Sequence, residues 1–547
     1  MKSKRLTLSV LFVVAAVANA LACTNLIVGK NASADGSTIV SYSADSYGLF
    51  GELYHYPAGM HKKGTLIDIH EWDTGKYLGQ IAQARQTYNV IGNMNEFQLT
   101  IGETTFGGRP ELVDTTGIID YGSLIYLGLQ RSRTAREAIK VMTELVQEYG
   151  YYSGGESFTI ADPNEIWIME MIGKGPGVRG AVWVAVRVPD DCISAHANQS
   201  RIHQFNMNDK ENCMYSPDVI SFAREKGYFD GVNKDFSFAD AYAPLDFGAR
   251  RYCEARVWSY FNMFTDRGNE FLPYILGETN TPMPLFVKPN RKVSVQDVKN
   301  AMRDHYEGTP LDISKDFGAG PYHTPYRLSP LSFKVGDREY FNERPISTQQ
   351  SGFVFVAQMR SELSDPIGGV LWFGTDDANM TVFTPVYCCT DKVPVCYTRV
   401  DGADYITFSW NSAFWIFNWV ANMVYPRYDL MIDDVRATQT ELETTFNEAQ
   451  EGVEAAAAKL LEKDPAKAKA FLTNYTNMTA QSTFDTWKRL GEFLVVKYND
   501  GVVKRMKNGQ FERNSIGQPA GVIRPGYPKE FLEEYVKQTG DRYKMPE

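Results

Sequence analysis

The chain opens on one apolar block and then changes period. Leu6 to Ala18 is apolar apart from Thr7 and Ser9. From residue 24 onward, short apolar stretches alternate with turns. Leu26-Ile27-Val28 predicts a strand, Ala34-Asp35-Gly36-Ser37 a turn, and Thr38 to Tyr42 the returning strand of a hairpin. Further strands are predicted at Tyr88 to Ile91, Leu99 to Ile101, Ser157 to Ala161, Ile166 to Met171 and Ala181 to Val188, punctuated by Gly and Asp-Pro. Ile118 to Arg131 and Thr134 to Tyr149 carry apolar residues at helical spacing, with Thr134 as N-cap and Glu137 as its capping-box partner. A second strand block spans Ser351 to Phe383, clearest at Gly352 to Ala357 and Val370 to Phe373. Beyond about residue 410 the pattern turns helical, over Val435 to Leu461, Asp464 to Asn474 and Thr483 to Leu494. The tail from Gly517 to Glu547, rich in Pro, Gly and charge, is expected to run over the surface. Strand groups and helix pairs that come in blocks predict an α+β fold.

The opening apolar block bears on the role of Cys23. Lys2, Lys4 and Arg5 precede it, and Ala20-Leu21-Ala22 closes it with an A-x-A site. That is the layout of a secretory signal peptide over residues 1–22. The block is short against the roughly 20 residues of a membrane span, so an uncleaved anchor is the weaker reading. Cleavage after Ala22 would make Cys23 the first residue, with a thiol beside a free α-amine whose reference pKa is about 7.7–8.0. A lipoprotein signal also ends before a cysteine, but it wants a large aliphatic residue where Ala20 stands. Lipid anchoring at Cys23 would consume both the amine and the sulfur.

Composition excludes more than it assigns. A net charge of −10 over 547 residues offers no basic face for nucleic acid. Aromatic residues make up 13%, which argues against disorder over most of the chain. No second long apolar run suggests membrane insertion after processing. Seven cysteines in an exported chain leave one over if Cys192, Cys213, Cys253, Cys388, Cys389 and Cys396 pair among themselves or sit in the core, with Cys23 free. His55, His61 and His70 lack metal-ligand spacing, and no metal or organic cofactor is expected.

A first-residue nucleophile needs a group to orient its amine and donors for an oxyanion. Asp45 lies just past the returning strand and would come back beside Cys23, as amine partner or as turn cap. Asn95, in the Gly92 to Glu96 link, and Asn198, after the Trp183 to Val188 strand, offer uncharged donors; Asx turns are their structural alternative. His196 is read as structural. Arg256, in a helix start at Tyr252 to Trp258, is a fixed cation for a site or for an ion pair.

Several motifs then fall into one order along the chain. These are Cys23-Thr24-Asn25, Asp35-Gly36-Ser37-Thr38, Asn95-Glu96, Leu127 to Ala138, Trp183 to Ala185 with Arg187 to Asp190, and His196-Ala197-Asn198. Arg256-Val257-Trp258, Tyr306 to Pro310, Glu343 to Thr348 and Gly368 to Gly374 come after them. From Cys23 to about residue 440 this set resembles the PepD-type cysteine dipeptidases of the N-terminal nucleophile (Ntn) hydrolase superfamily, distantly related to penicillin V acylases and bile salt hydrolases. The resemblance implies a four-layer αββα sandwich over residues 23–410, with a helical region at 411–547 packed on it. It implies dipeptide hydrolysis with Cys23 as nucleophile, its α-amine as base, Asp45 orienting the amine, Asn95 and Asn198 at the oxyanion, and Arg256 in the site. One departure stands out. Family members often carry Arg-Asn-x-Asp where this chain has Tyr42-Ser43-Ala44-Asp45, so Tyr42 takes the arginine's place beside nucleophile and substrate.

The expectation is a periplasmic or secreted dipeptidase acting on small peptides, with the oligomeric state, homo-oligomer included, left open. The alternatives are an acylase on another small amide, such as an N-acyl amino acid or bile-salt conjugate, and a lipid-anchored, non-catalytic surface protein.

Overall fold

The computed structural model describes residues 23–547. The expected signal peptide, residues 1–22, lies outside them. Two antiparallel sheets are built from β1 (Asn25–Val28), β2 (Thr38–Asp45), β3 (His55–Tyr56), β4 (Val90–Ile91), β5 (Met94–Asn95), β6 (Thr100–Gly107), β7 (Gly155–Ala161), β8 (Ile166–Gly173), β9 (Ala181–Arg187), β10 (Ile193–His196), β11 (Cys213–Tyr215), β12 (Ser351–Met359), β13 (Val370–Thr375) and β14 (Thr384–Tyr387). The first sheet runs β10-β1-β2-β12-β13-β14 and the second β11-β9-β8-β7-β6-β5-β4-β3.

The predicted hairpin forms, with Ile27 opposite Val40. Its second strand then pairs with β12, more than three hundred positions away, placing Tyr42 opposite Phe355 and Asp45 opposite Ser351. Every residue of β2, β7, β8 and β12 is buried, so neither face of these strands meets solvent.

The sheets meet through polar contacts as well as apolar ones. Asn25 on β1 donates to the Glu103 carbonyl oxygen on β6 at 2.7 Å. The approach there is close: a Cβ on Gly102 would lie 2.4 Å from Asn25 Oδ1. His196 on β10 reaches Thr104 Oγ1 with Nδ1 at 2.7 Å and Thr159 Oγ1 with Nε2 at 2.6 Å. Burial holds its pKa down at about 3, so the ring is a neutral cross-link between sheets.

Helices α1 (Tyr121–Arg131) and α2 (Ala135–Tyr149) pack on the second sheet. Asp120 caps α1 by accepting from the Ser123 N–H, and Thr134 caps α2 by accepting from the Glu137 N–H. Glu137 completes its half of the box one residue early, accepting from the Arg133 N–H. On α2 the buried positions Ala138, Ile139, Met142, Leu145 and Val146 recur at helical spacing.

After residue 410 the chain is helical, as its pattern predicts. A helix that carries part of the site, α3 (Ala255–Phe264), comes earlier; α4 (Ala413–Val424), α5 (Tyr428–Leu461) and α6 (Pro465–Tyr498) come after it. The two stretches expected over 464–474 and 483–494 are one 34-residue helix, because no Gly or Pro lies between them to break it. Asp464 caps it, and Pro465 at the first turn costs no hydrogen bond. α6 packs on β14, with Trp487 stacked on Phe417 of α4 at 4.8 Å. The tail lies on the surface and adds an exposed helix, Lys529–Thr539.

Of the two readings of the cysteines, paired or in the core, the structure shows no pairing: all seven are free thiols. Several are held by local packing instead, with Cys388 Sγ on the Asp365 carbonyl oxygen at 3.0 Å and Cys396 Sγ on that of Ala480 at 3.9 Å. Among the described residues no helix is long and apolar enough to cross a membrane.

Candidate active site

Cys23 precedes β1 at the inner face of the first sheet and is 3% exposed. Its first neighbours come from the hairpin. The Thr24 N–H donates to Ser43 Oγ at 3.2 Å, and the Ser43 N–H to the Thr24 carbonyl oxygen at 3.0 Å. This zipper brings the end of β2, and with it Asp45, to the start of β1. Burial, then the charges of Glu103 and Asp45, push the Cys23 thiol well above its ordinary pKa; a hydrogen bond from the Asp45 backbone N–H pulls the other way.

The Asp45 carboxylate is saturated by the first sheet and the loop before β12. Its Oδ2 accepts from Arg344 Nη2 at 2.6 Å and Ser43 Oγ at 3.1 Å, and its Oδ1 from Ser351 Oγ at 2.6 Å. Burial raises its pKa, while Arg344 and Ser351 oppose the rise. Arg344 lies in the Glu343 to Thr348 motif, which drew attention without suggesting a role.

Arg256 ties the nucleophile to the opposite loop. A π-helical turn, Ala249–Glu254, feeds into α3, and Arg256 is the second residue of that helix, accepted at Nε by the Tyr252 carbonyl oxygen at 2.7 Å. Its Nη1 donates to the Cys23 carbonyl oxygen at 2.5 Å and Thr24 Oγ1 at 2.8 Å; its Nη2 donates to the Ala197 carbonyl oxygen and Asn198 Oδ1, both at 2.9 Å. Full burial and the nearby Arg344 lower its pKa to about 10, which still leaves it charged at neutrality. Asn198 has a left-handed backbone, φ 64°, a conformation asparagine tolerates. Its Nδ2 donates to the Thr105 carbonyl oxygen at 2.8 Å, so the carboxamide is fixed from both ends.

Asn95 does not join this group. Its Nδ2 donates to the carbonyl oxygens of Leu129 and Ser132, both at 2.8 Å, and its Oδ1 accepts from the N–H groups of Phe97 and Leu99. Both amide hydrogens are committed to the C-terminal end of α1, so the structure does not bring this side chain together with Cys23, Asp45, Asn198 and Arg256. Its neighbour Asn93 instead lines a small aromatic cavity with Tyr42, Tyr54, Trp72, Tyr121 and Phe353.

Tyr42 donates to Glu103 Oε1 at 2.7 Å, and Cys23 Sγ lies 3.4 Å from the same oxygen and 3.7 Å from the tyrosine hydroxyl. At the position where the resembling family often carries an arginine, the thiol thus meets a tyrosine and a buried carboxylate. Burial lifts the Glu103 pKa to about 7, against the pull of the Tyr42 hydrogen bond. Glu103 escaped notice because the strand read as Leu99 to Ile101 continues to Gly107. The available signal was a lone Glu inside a Thr- and Gly-rich strand. Among the described residues no group of three or more His, Cys, Asp and Glu is arranged to hold a metal ion.

Residues 22–55 and 50–441 match the sequence model of peptidase family C69. The chain belongs to peptidase family C69. Cys23, Tyr42, Asp45, Glu103, Asn198, Arg256 and Arg344 all fall inside the matched residues, whereas α6 and the tail lie beyond them. Membership in C69 makes the protein a peptide-bond hydrolase. Curated relatives agree in kind. The chain is 29% identical to a protein named "Probable dipeptidase" from Salmonella dublin, over 67% of this chain and 81% of that one. It is 26% identical to a "Probable dipeptidase" from Latilactobacillus sakei, over 74% and 82%, and 27% identical to a "Dipeptidase" from Bifidobacterium longum, over 68% and 72%.

Proposed function

We propose that this C69 peptidase is an exported cysteine dipeptidase, activated when removal of residues 1–22 frees the α-amine of Cys23. The observation that carries the reading is the convergence on Cys23 of Asp45, Asn198 and Arg256, with Arg256 bonded to both the Cys23 carbonyl oxygen and Asn198 Oδ1. The two facing sheets, with α1 and α2 on one and α4 to α6 on the other, support the four-layer αββα arrangement of the Ntn hydrolases.

In the mechanism the freed amine takes the Cys23 thiol proton. This offsets a site that otherwise favours the neutral thiol. Sulfur then forms a bond to the carbonyl carbon of the substrate, and the oxyanion is stabilised by the Asn198 amide, held in place by Arg256. The carbon–nitrogen bond breaks as the ammonium returns its proton to the leaving amine. Water attacks the resulting thioester, releasing the amino acid and restoring the thiol. Asp45 orients the amine, and its Arg344 and Ser351 contacts keep it in place.

Cys23→Ala is expected to abolish dipeptide turnover in a folded protein; retained turnover would remove Cys23 as nucleophile. Preference for N-acyl amino acids over dipeptides would instead favour an acylase. Export predicts that mature protein begins at Cys23 without added mass, whereas a diacylglycerol increment would indicate a lipid anchor.

A further inference from the structure

We propose that Glu103 and Glu156 receive the protonated α-amino group of the substrate, so that the site selects peptides with a free amino terminus and cleaves the first peptide bond. This rests on Cys23 being the nucleophile. Thr105 is paired with Glu156 across β6 and β7, which makes Glu103 and Glu156 diagonal neighbours on one face of the second sheet. Each is 1% exposed, and apart from a hydrogen bond between the two carboxyl groups themselves the Oε2 atom of each has no partner. Neither residue, nor Asp73 nearby, forms an ion pair with a Lys or Arg among the described residues. A third polar group faces the same uncompensated charge. The Tyr151 hydroxyl, on a fully buried side chain, has Glu156 as its strongest charged neighbour and hydrogen-bonds Ser153.

A proton shared between the two still leaves one buried negative charge without a cation, which is strongly disfavoured. The cations of the site are committed elsewhere: Arg256 to main-chain oxygens and Asn198, Arg344 to Asp45. The missing positive charge matches an ammonium that arrives with the substrate. The geometry agrees. In a peptide the terminal nitrogen is about 2.5 Å from the first carbonyl carbon, from standard bond lengths and angle. An attacked carbon sits about 3–3.5 Å from its nucleophile. With Glu103 Oε1 3.4 Å from Cys23 Sγ, a carbonyl in attack position brings its own terminal ammonium within reach of the Glu103 carboxylate. The same ammonium would offset the Glu103 charge that opposes thiolate formation, coupling substrate recognition to activation of the nucleophile.

The test compares alanyl-alanine with propionyl-alanine, which keeps the amide and lacks only the amine. The processed wild-type protein is expected to prefer alanyl-alanine by about 10²-fold or more in kcat/KM, the effect of losing one member of a buried charge pair. In Glu156→Gln and Glu103→Gln, each checked for folding by thermal melting, the preference should shrink to within about tenfold. Hydrolysis of both amides at equal kcat/KM by wild type would overturn the proposal while leaving the Cys23 mechanism standing, and would assign the carboxylates to the enzyme's own amine or to a shared proton. An unchanged preference in both variants would also overturn it. Turnover of neither amide by folded wild type would contradict the dipeptidase reading itself, and the proposal with it.

Discussion

The Arg256 guanidinium donates to the main-chain carbonyl oxygen of Cys23 at 2.5 Å, joining residues 233 positions apart. Because its other terminal nitrogen holds Asn198 Oδ1, one side chain sets the nucleophile and the amide proposed for the oxyanion in the same frame. Arg256→Lys keeps a charge but loses the planar fork that serves four oxygen acceptors through its two terminal nitrogens. We expect kcat to fall by about 10²-fold, the scale of a misplaced catalytic group, with KM changed far less. Steady-state kinetics with a dipeptide checks this; unchanged kcat would remove Arg256 from the positioning role.

Asp45 and Arg344 form a buried ion pair whose structural and catalytic roles separate in a double substitution. Asp45→Asn leaves Arg344 uncompensated and should cost about 3–5 kcal/mol of stability. Adding Arg344→Met should recover much of that loss in urea unfolding. Activity should stay absent in the double variant, because no carboxylate remains to orient the amine. Recovery of activity along with stability would make Asp45 purely structural.

The two asparagines of the Gly92 to Glu96 link should behave differently. Asn95→Ala strips two carbonyl oxygens and two N–H groups of their partner and should cost about 1–3 kcal/mol in unfolding, with kcat/KM of the folded protein largely kept. Asn93→Ala, at the cavity wall beside Tyr42, should lower kcat/KM with a smaller stability change. The reverse pattern would restore Asn95 to the site.

His196 gives the fold a defined response to acid. Its folded pKa, about 3, lies below the ordinary value of 6.5, so it stays neutral in the folded protein while the unfolded chain gains a proton. Stability from this group is therefore complete above about pH 6.5 and is lost as pH falls toward 3, at about 1.4 kcal/mol per pH unit. Glu103 and Glu170, both held up to about 7, act in the opposite sense from pH 7 down to their unfolded values. The readout is thus the difference between wild type and His196→Gln in urea unfolding at pH 7 and pH 5. The gap should narrow at pH 5; a constant gap would contradict the neutral cross-link.

Local features of the fold were legible in the sequence, and long-range ones were not. The β1–β2 hairpin, the Thr134 cap and the helical C-terminal region arise from spacing over a few residues. The pairing of β2 with β12 crosses more than three hundred positions and has no local signature, so the Phe353 and Phe355 rings against Tyr42 were out of reach. In the site, Cys23 and Asp45 could be joined through one hairpin. Arg256 and Asn198 needed the family resemblance, because helix and loop meet only in the folded chain. Glu103 was lost by ending its strand at Ile101, six residues early, and Asn95 came with the family resemblance, because composition does not tell which amide of a loop has its hydrogens already committed.

The central claim is that a free α-amine on Cys23 makes the enzyme, and dipeptide kcat/KM for two protein forms tests it most directly. One form begins at Cys23; the other keeps a single additional residue, Ala22. The account predicts turnover in the first and a loss of about 10²-fold or more in the second, where the nitrogen is an amide and the base is gone. Equal turnover by the two forms would contradict it.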